Sequence, residues 1–151
     1  MADLIFKVDG SSETATRLNA VARDFSIVVD EPPALGGEDK GANPVEYLLA
    51  SYAGCLNVVA HLTAQELGIV LQGLKISVSG NLNPDKLFGN ETEDRAGFKN
   101  IVVDFEPVTV ASEEELEHWV KVIKQRCPIY DNLSNPTPLK LNLNRKVAYS
   151  N

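Results

Sequence analysis

The chain has no cluster of lysine or arginine, and 21 acidic residues outnumber 14 basic ones, for a net charge of −7. Nucleic acid and anionic membranes repel such a surface, so neither is an expected partner. It also lacks an uninterrupted apolar run long enough to span a bilayer, and no membrane span is expected. The opening MADLIFKVDG has no basic start followed by a long apolar stretch, so no secretory leader is expected either. The expected compartment is a reducing cytoplasm. Cysteine is scarce, with only Cys55 and Cys127. In such a compartment two cysteines are not expected to form a permanent structural disulfide; they are core residues or a redox pair. His61 and His118 each lack a second ligand at metal spacing, and Gly36-Gly37 and Gly41 lack the context of a phosphate-binding loop. No repeat or low-complexity tract is present.

What is present reads as one domain over residues 1–151, with 44% hydrophobic and 23% charged residues, enough for a real core. Leu4, Phe6 and Val8 alternate with polar residues, as do Leu18, Ala20 and Ala22, then Ile27 and Val29. This period of two predicts a strand meander, with Asp9-Gly10-Ser11-Ser12 as its first turn. DEPPALGGEDKGANP, residues 30–44, reads as a long surface loop, and loops of that length are often functional. Asn43 as N-cap, Pro44 at the first helical position and Glu46 three residues after the cap predict a helix running to Leu67, ended by Gly68. Its apolar residues cover more than one face, so a single small sheet cannot bury them all. Strands are expected around Leu74–Val78 and Ile101–Phe105, joined by an exposed connection. Ser112 and Glu115 cap a second helix with Leu116, Trp119, Val120 and Ile123 on one stripe. Leu139, Leu141 and Leu143 predict a final strand that Val147 and Tyr149 extend. Strands and helices do not alternate one for one, so the class is α+β.

The two cysteines differ in setting. Pro128 ends the second helix but suits the first position of a new short one, which puts Cys127 at a helix N-cap. Backbone N–H groups there stabilise a thiolate, and Lys124 and Arg126 add positive potential. The plainer alternative is a small hydrophobe at a helix junction. Cys55 lies mid-helix in SYAGCLNVVA, with Ser51, Tyr52, Val58 and Val59 one turn away. No cation is near it in sequence, so an activating one must come from elsewhere in the fold. Small residues around it leave room for a ligand or for close helix packing.

The run DEPPALGGEDKGANPVEYLLASYAGC, followed 72 residues after Cys55 by CPIYDNLSNPTPLKLNL, strongly resembles the OsmC/Ohr family of osmotically inducible and organic hydroperoxide resistance proteins. The resemblance implies an intertwined homodimer in which antiparallel sheets pack around two long central helices, with active sites between subunits. It implies thiol-dependent reduction of organic hydroperoxides, with Cys55 as the peroxidatic and Cys127 as the resolving cysteine. It further implies an arginine from the first meander that holds the thiolate, Arg23 in preference to Arg17. No metal, haem or flavin is implied; an external dithiol, such as a lipoyl protein, would restore the thiols.

One position departs from the hydroperoxide-resistance branch, where a carboxylate lies ten residues before the reactive cysteine. Here that residue is Val45, and Glu46 lies nine before. At about 100° per residue, nine steps turn a helix through roughly half a circle, so Glu46 should point away from Cys55 and serve the cap. The departure matches the OsmC-like branch. It keeps a second function in view: a thiol sensor or small-ligand binder with little turnover.

Overall fold

The computed structural model describes residues 2–146. Its first sheet is an antiparallel meander of β1 (Asp9–Ser12), β2 (Leu18–Ala22) and β3 (Phe25–Val29). The second is a hairpin of β4 (Gly73–Asn81) and β5 (Asn100–Val108). Three helices complete the fold: α1 (Pro44–Leu67), α2 (Glu113–Arg126) and α3 (Pro128–Ser134).

The caps form as their residues dictate. In α1 the Asn43 side chain accepts from the Glu46 N–H, and the Glu46 carboxylate accepts from the Asn43 N–H. Gly68 closes the helix in the left-handed region, with φ of 72°. Ser112 and Glu115 make the same reciprocal pair at α2. By length and composition alone α1 is long and apolar enough to cross a bilayer, although it holds no uninterrupted apolar run of that length. A window average tolerates Ser51, Asn57 and Thr63, whereas a strict run does not. Here Tyr52, Leu56, Val59, Ala60 and Ala64 of α1 form the centre of a domain core, and core helices pass the same length test.

That core joins α1 to the inner face of the β4–β5 hairpin and to α2. Leu74, Ile76, Val78, Ile101, Val103 and Phe105 pack against it. Trp119 of α2 is fully buried, and its indole N–H donates to the Ala60 carbonyl at 3.1 Å. Its ring lies 5.3 Å from that of Phe105, so one side chain ties α2 to both α1 and β5.

Two strand expectations are corrected. The first strand is Asp9–Ser12, the stretch expected to turn, while residues 2–8 form no strand. The turn falls at residues 13–17, where the N–H groups of Glu13 and Thr14 donate to the Arg17 carbonyl and the Thr14 hydroxyl accepts from the N–H of Arg17. Leu139, Leu141 and Leu143 also form no strand and are more than 90% exposed. A strand needs a partner, and among the described residues neither segment has one. Val147 and Tyr149 lie outside the described residues.

Candidate active site

Cys55 sits in the middle of α1, half-buried against the core. Cys127 ends α2 and caps α3: its Sγ accepts from the Tyr130 N–H at 3.4 Å, and the residue is 1% exposed. Pro128 explains the double role, since it cannot extend α2 and is preorganised to open α3. Contacts of α1 with α2 and with α3 carry the two residues together across 72 positions of sequence. Both are free thiols, and their sulfurs lie 2.8 Å apart.

Burial pushes the Cys55 thiol above its ordinary value, and the adjoining Cys127 pushes it further. A hydrogen bond from the Ile129 N–H acts in the opposite direction without overcoming them. Tyr52, one turn before Cys55, closes the site on one side, and its ring is 6.4 Å from that of Tyr130. Burial raises the Tyr52 phenol, and charge on Cys127, Tyr130 and Cys55 raises it further, so it remains a proton donor.

The arginines are held elsewhere in this chain. Arg17 precedes β2, and its guanidinium donates to Glu13 at 3.2 Å and Glu38 at 3.0 Å. Arg23 is a turn residue with φ of 57°, not a strand residue, and its guanidinium lies 5.0 Å over the Phe25 ring. Among the described residues, neither is one of the groups that shift Cys55. Arg126, expected to lend potential to Cys127, is instead paired with Glu66 of α1. Among the described residues, no group of three His, Cys, Asp or Glu side chains is arranged to hold a metal ion.

A cavity of about 440 Å³ is lined by Tyr52 and Tyr130, each about one turn from a cysteine, but by neither cysteine itself. Val45 lines it, together with residues of the β4–β5 connection and α3, while Glu46 is spent on the α1 cap. Asp30, buried behind the 30–44 loop, accepts from the Thr16 hydroxyl and from the N–H groups of Glu31, Glu38 and Lys40. It fixes the path by which the chain enters α1. The sequence reading assigned no role to Tyr52, Tyr130 or Asp30. The tyrosines carried one usable signal, since each is three residues, about one helical turn, from a cysteine.

The family model described as OsmC-like protein matches residues 37–142. The chain belongs to this family. Among curated relatives, the hydroperoxide reductase of Mycoplasma pneumoniae is 28% identical over 132 residues, covering 87% of this chain and 89% of the relative. The hydroperoxide reductase of Mycoplasma genitalium is 26% identical over the same shares. The solved OsmC-like protein from Mycoplasma pneumoniae superposes with a TM-score of 0.76 at 25% identity, covering 95% of this chain and 96% of that one. The organic hydroperoxide resistance protein OsmC from Legionella pneumophila shares the fold, with a TM-score of 0.63 at 20% identity over 88% and 91% of the two chains. In this OsmC-like chain, then, the α+β fold and the family are those its paired cysteine motifs resembled, and its relatives' names tie the family to hydroperoxides.

Proposed function

We propose that the chain is a thiol-dependent peroxidase that reduces organic hydroperoxides to alcohols. The observation that carries this is the meeting of two free thiols, 72 residues apart in sequence, with sulfurs 2.8 Å apart. In the reading that follows, the Cys55 thiolate attacks the distal peroxide oxygen. The O–O bond breaks, an S–O bond forms, and the leaving alkoxide takes a proton to become the alcohol. The Cys127 thiol then attacks the Cys55 sulfenic acid, forming the disulfide and releasing water. An external dithiol, such as a lipoyl group, restores both thiols by exchange and leaves as its own disulfide.

The raised Cys55 thiol means that a cation is still required for the thiolate at neutral pH. A homodimer supplies the route, with a meander arginine from the second copy reaching the sulfur. Arg23 and Arg17 are the candidates: Arg23, at a hairpin turn, makes no ion pair among the described residues, whereas Arg17 is paired with Glu13 and Glu38. Exposed Leu4, Ile5, Phe6 and the three leucines of 139–143 support the second copy, which would cover them.

One observation favours a second reading. Val45 replaces the carboxylate of the hydroperoxide-resistance branch, and burial holds the Cys55 proton, both of which suit a slow thiol sensor. Hydroperoxide consumption driven by a dithiol separates the two. The peroxidase reading expects multiple turnovers by the wild type and none by Cys55→Ser. A single stoichiometric oxidation without turnover would select the sensor, and no oxidation would reject both.

A further inference from the structure

The cavity lined by Tyr52 and Tyr130 carries a positive charge that its own wall does not balance. Asp94, at the start of the wall segment, is spent: it accepts from Lys99 at 2.6 Å and from the Asn83 amide at 2.9 Å. Lys99 is thereby neutralised. Arg95, the next residue, lines the same cavity and makes no ion pair among the described residues. The opposite wall adds no counter-charge, because Val45 stands there. Leu48, Leu82, Phe98, Ile101 and Leu133 give the wall apolar surface, interspersed with the polar Asn100 and Ser134. Tyr52 and Tyr130 form the side nearest the thiols, and the Tyr130 N–H touches the Cys127 sulfur.

An exposed, unpaired guanidinium beside apolar side chains matches one ligand chemistry. A planar carboxylate accepts two parallel N–H bonds from it, and an aliphatic chain gains from the apolar surface. About 440 Å³ is within the range of small-molecule sites. The protein as a whole carries −7 and repels anions, so a local cation is needed to admit one.

We propose that Arg95 is a specificity-determining residue that binds the carboxylate of an amphiphilic substrate, a long-chain carboxylic acid whose hydroperoxide group lies at the tyrosine end. The inference rests on the peroxidase reading above for its reacting group, but not for its binding group. Val45 is part of the same device. A carboxylate at that position would compete for Arg95 and repel the substrate's own.

The test compares linoleic acid hydroperoxide with its methyl ester, which removes the charge and keeps the chain. Wild-type kcat/KM should favour the acid by about fivefold, the strength of a partly exposed ion pair, and the preference should fall with added salt. The acid-to-ester ratio should drop to about one in Arg95→Gln, recover in part in Arg95→Lys, and drop again in Val45→Glu. Lys75→Gln, which removes a charge on the exposed β4–β5 face, should leave the ratio at its wild-type value. A second arm needs no turnover: calorimetric binding of oleic acid against methyl oleate. If no hydroperoxide is reduced, the peroxidase reading fails while this arm still decides the site. Tighter binding of the acid that depends on Arg95 upholds it. Equal handling of acid and ester by the wild type, or a preference that survives Arg95→Gln, overturns it.

Discussion

Two parts of this chain treat their apolar residues differently. Between Tyr52 and Cys127 one set goes inside and builds the core: Ala60 and Trp119 are 0% exposed, Ile123 is 3% and Leu56 5%. Before residue 30 most of the large ones stay outside, although Ala20 is buried: Ile5 is 94% exposed, Phe6 88% and Phe25 61%. The meander contributes no residue to the core cluster. Polar and backbone links hold it instead. The Tyr47 hydroxyl donates to the Val28 carbonyl at 2.8 Å, and Asp30 gathers the loop between β3 and α1. The α1–hairpin–α2 part thus builds a buried core within one chain and brings both sulfurs together, while Val58 and Leu62 leave a second face of α1 exposed. The meander part is an incomplete surface that carries the arginines, and the account gives it to a second copy.

The strongest way to break this contrast is to remove Trp119. Trp119→Ala deletes the residue that joins α1, β5 and α2, and should cost roughly 3–5 kcal/mol in denaturant unfolding. A cost below 1 kcal/mol would mean that the core is not organised as described. A double change on the other part, Phe6→Asp with Leu141→Asp, should behave in the opposite way. Both side chains are more than 85% exposed in the single chain, so the fold should survive. The dimer should be lost, and sedimentation at micromolar concentration should show a monomer for the variant and a dimer for the wild type. A monomeric wild type would remove the second copy from the account.

How far the sequence reached follows the same division. The α1 and α2 caps, the Cys127 cap and the β4–β5 pairing depend on neighbours within a few residues or on clear alternation, and these were legible. The first and last strands were misplaced because alternation records a wish for burial, not the presence of a partner. Leu4–Val8 and Leu139–Leu143 alternate well, yet neither is paired among the described residues. The approach of Cys55 to Cys127 could not be read from local residues, since α1–α2 and α1–α3 packing creates it; the family resemblance carried that expectation. Arg95 was missed because it lies in a polar connection, and its place on the cavity wall is set only in three dimensions.

Smaller effects sharpen the contrast. Asn43→Ala removes one half of the α1 capping box and should cost about 1 kcal/mol in global stability. No change would show that Glu46 and Pro44 suffice. Asp30 should respond to acid. Burial alone would raise its carboxyl, but hydrogen bonds from the Lys40 and Glu31 N–H groups, the Thr16 hydroxyl and the Glu38 N–H outweigh it and hold it below the ordinary range. A depressed folded value stabilises above the unfolded pKa of about 3.9 and is lost as pH falls through the folded value. Amides of residues 31, 38 and 40 should therefore exchange faster below about pH 4 while Trp119 fluorescence stays native. Asp30→Asn should remove the pH step; a step that persists would assign it to another group.

The central claim, that the two thiols act as one unit, is tested most directly by mass spectrometry after one equivalent of an organic hydroperoxide. The account predicts that the wild type loses both free thiols and gains a single Cys55–Cys127 disulfide, while Cys127→Ser stops at the Cys55 sulfenic acid or its further oxides and Cys55→Ser stays largely unreacted. Two thiols that survive in the wild type, or single variants that oxidise at equal rates, would contradict it.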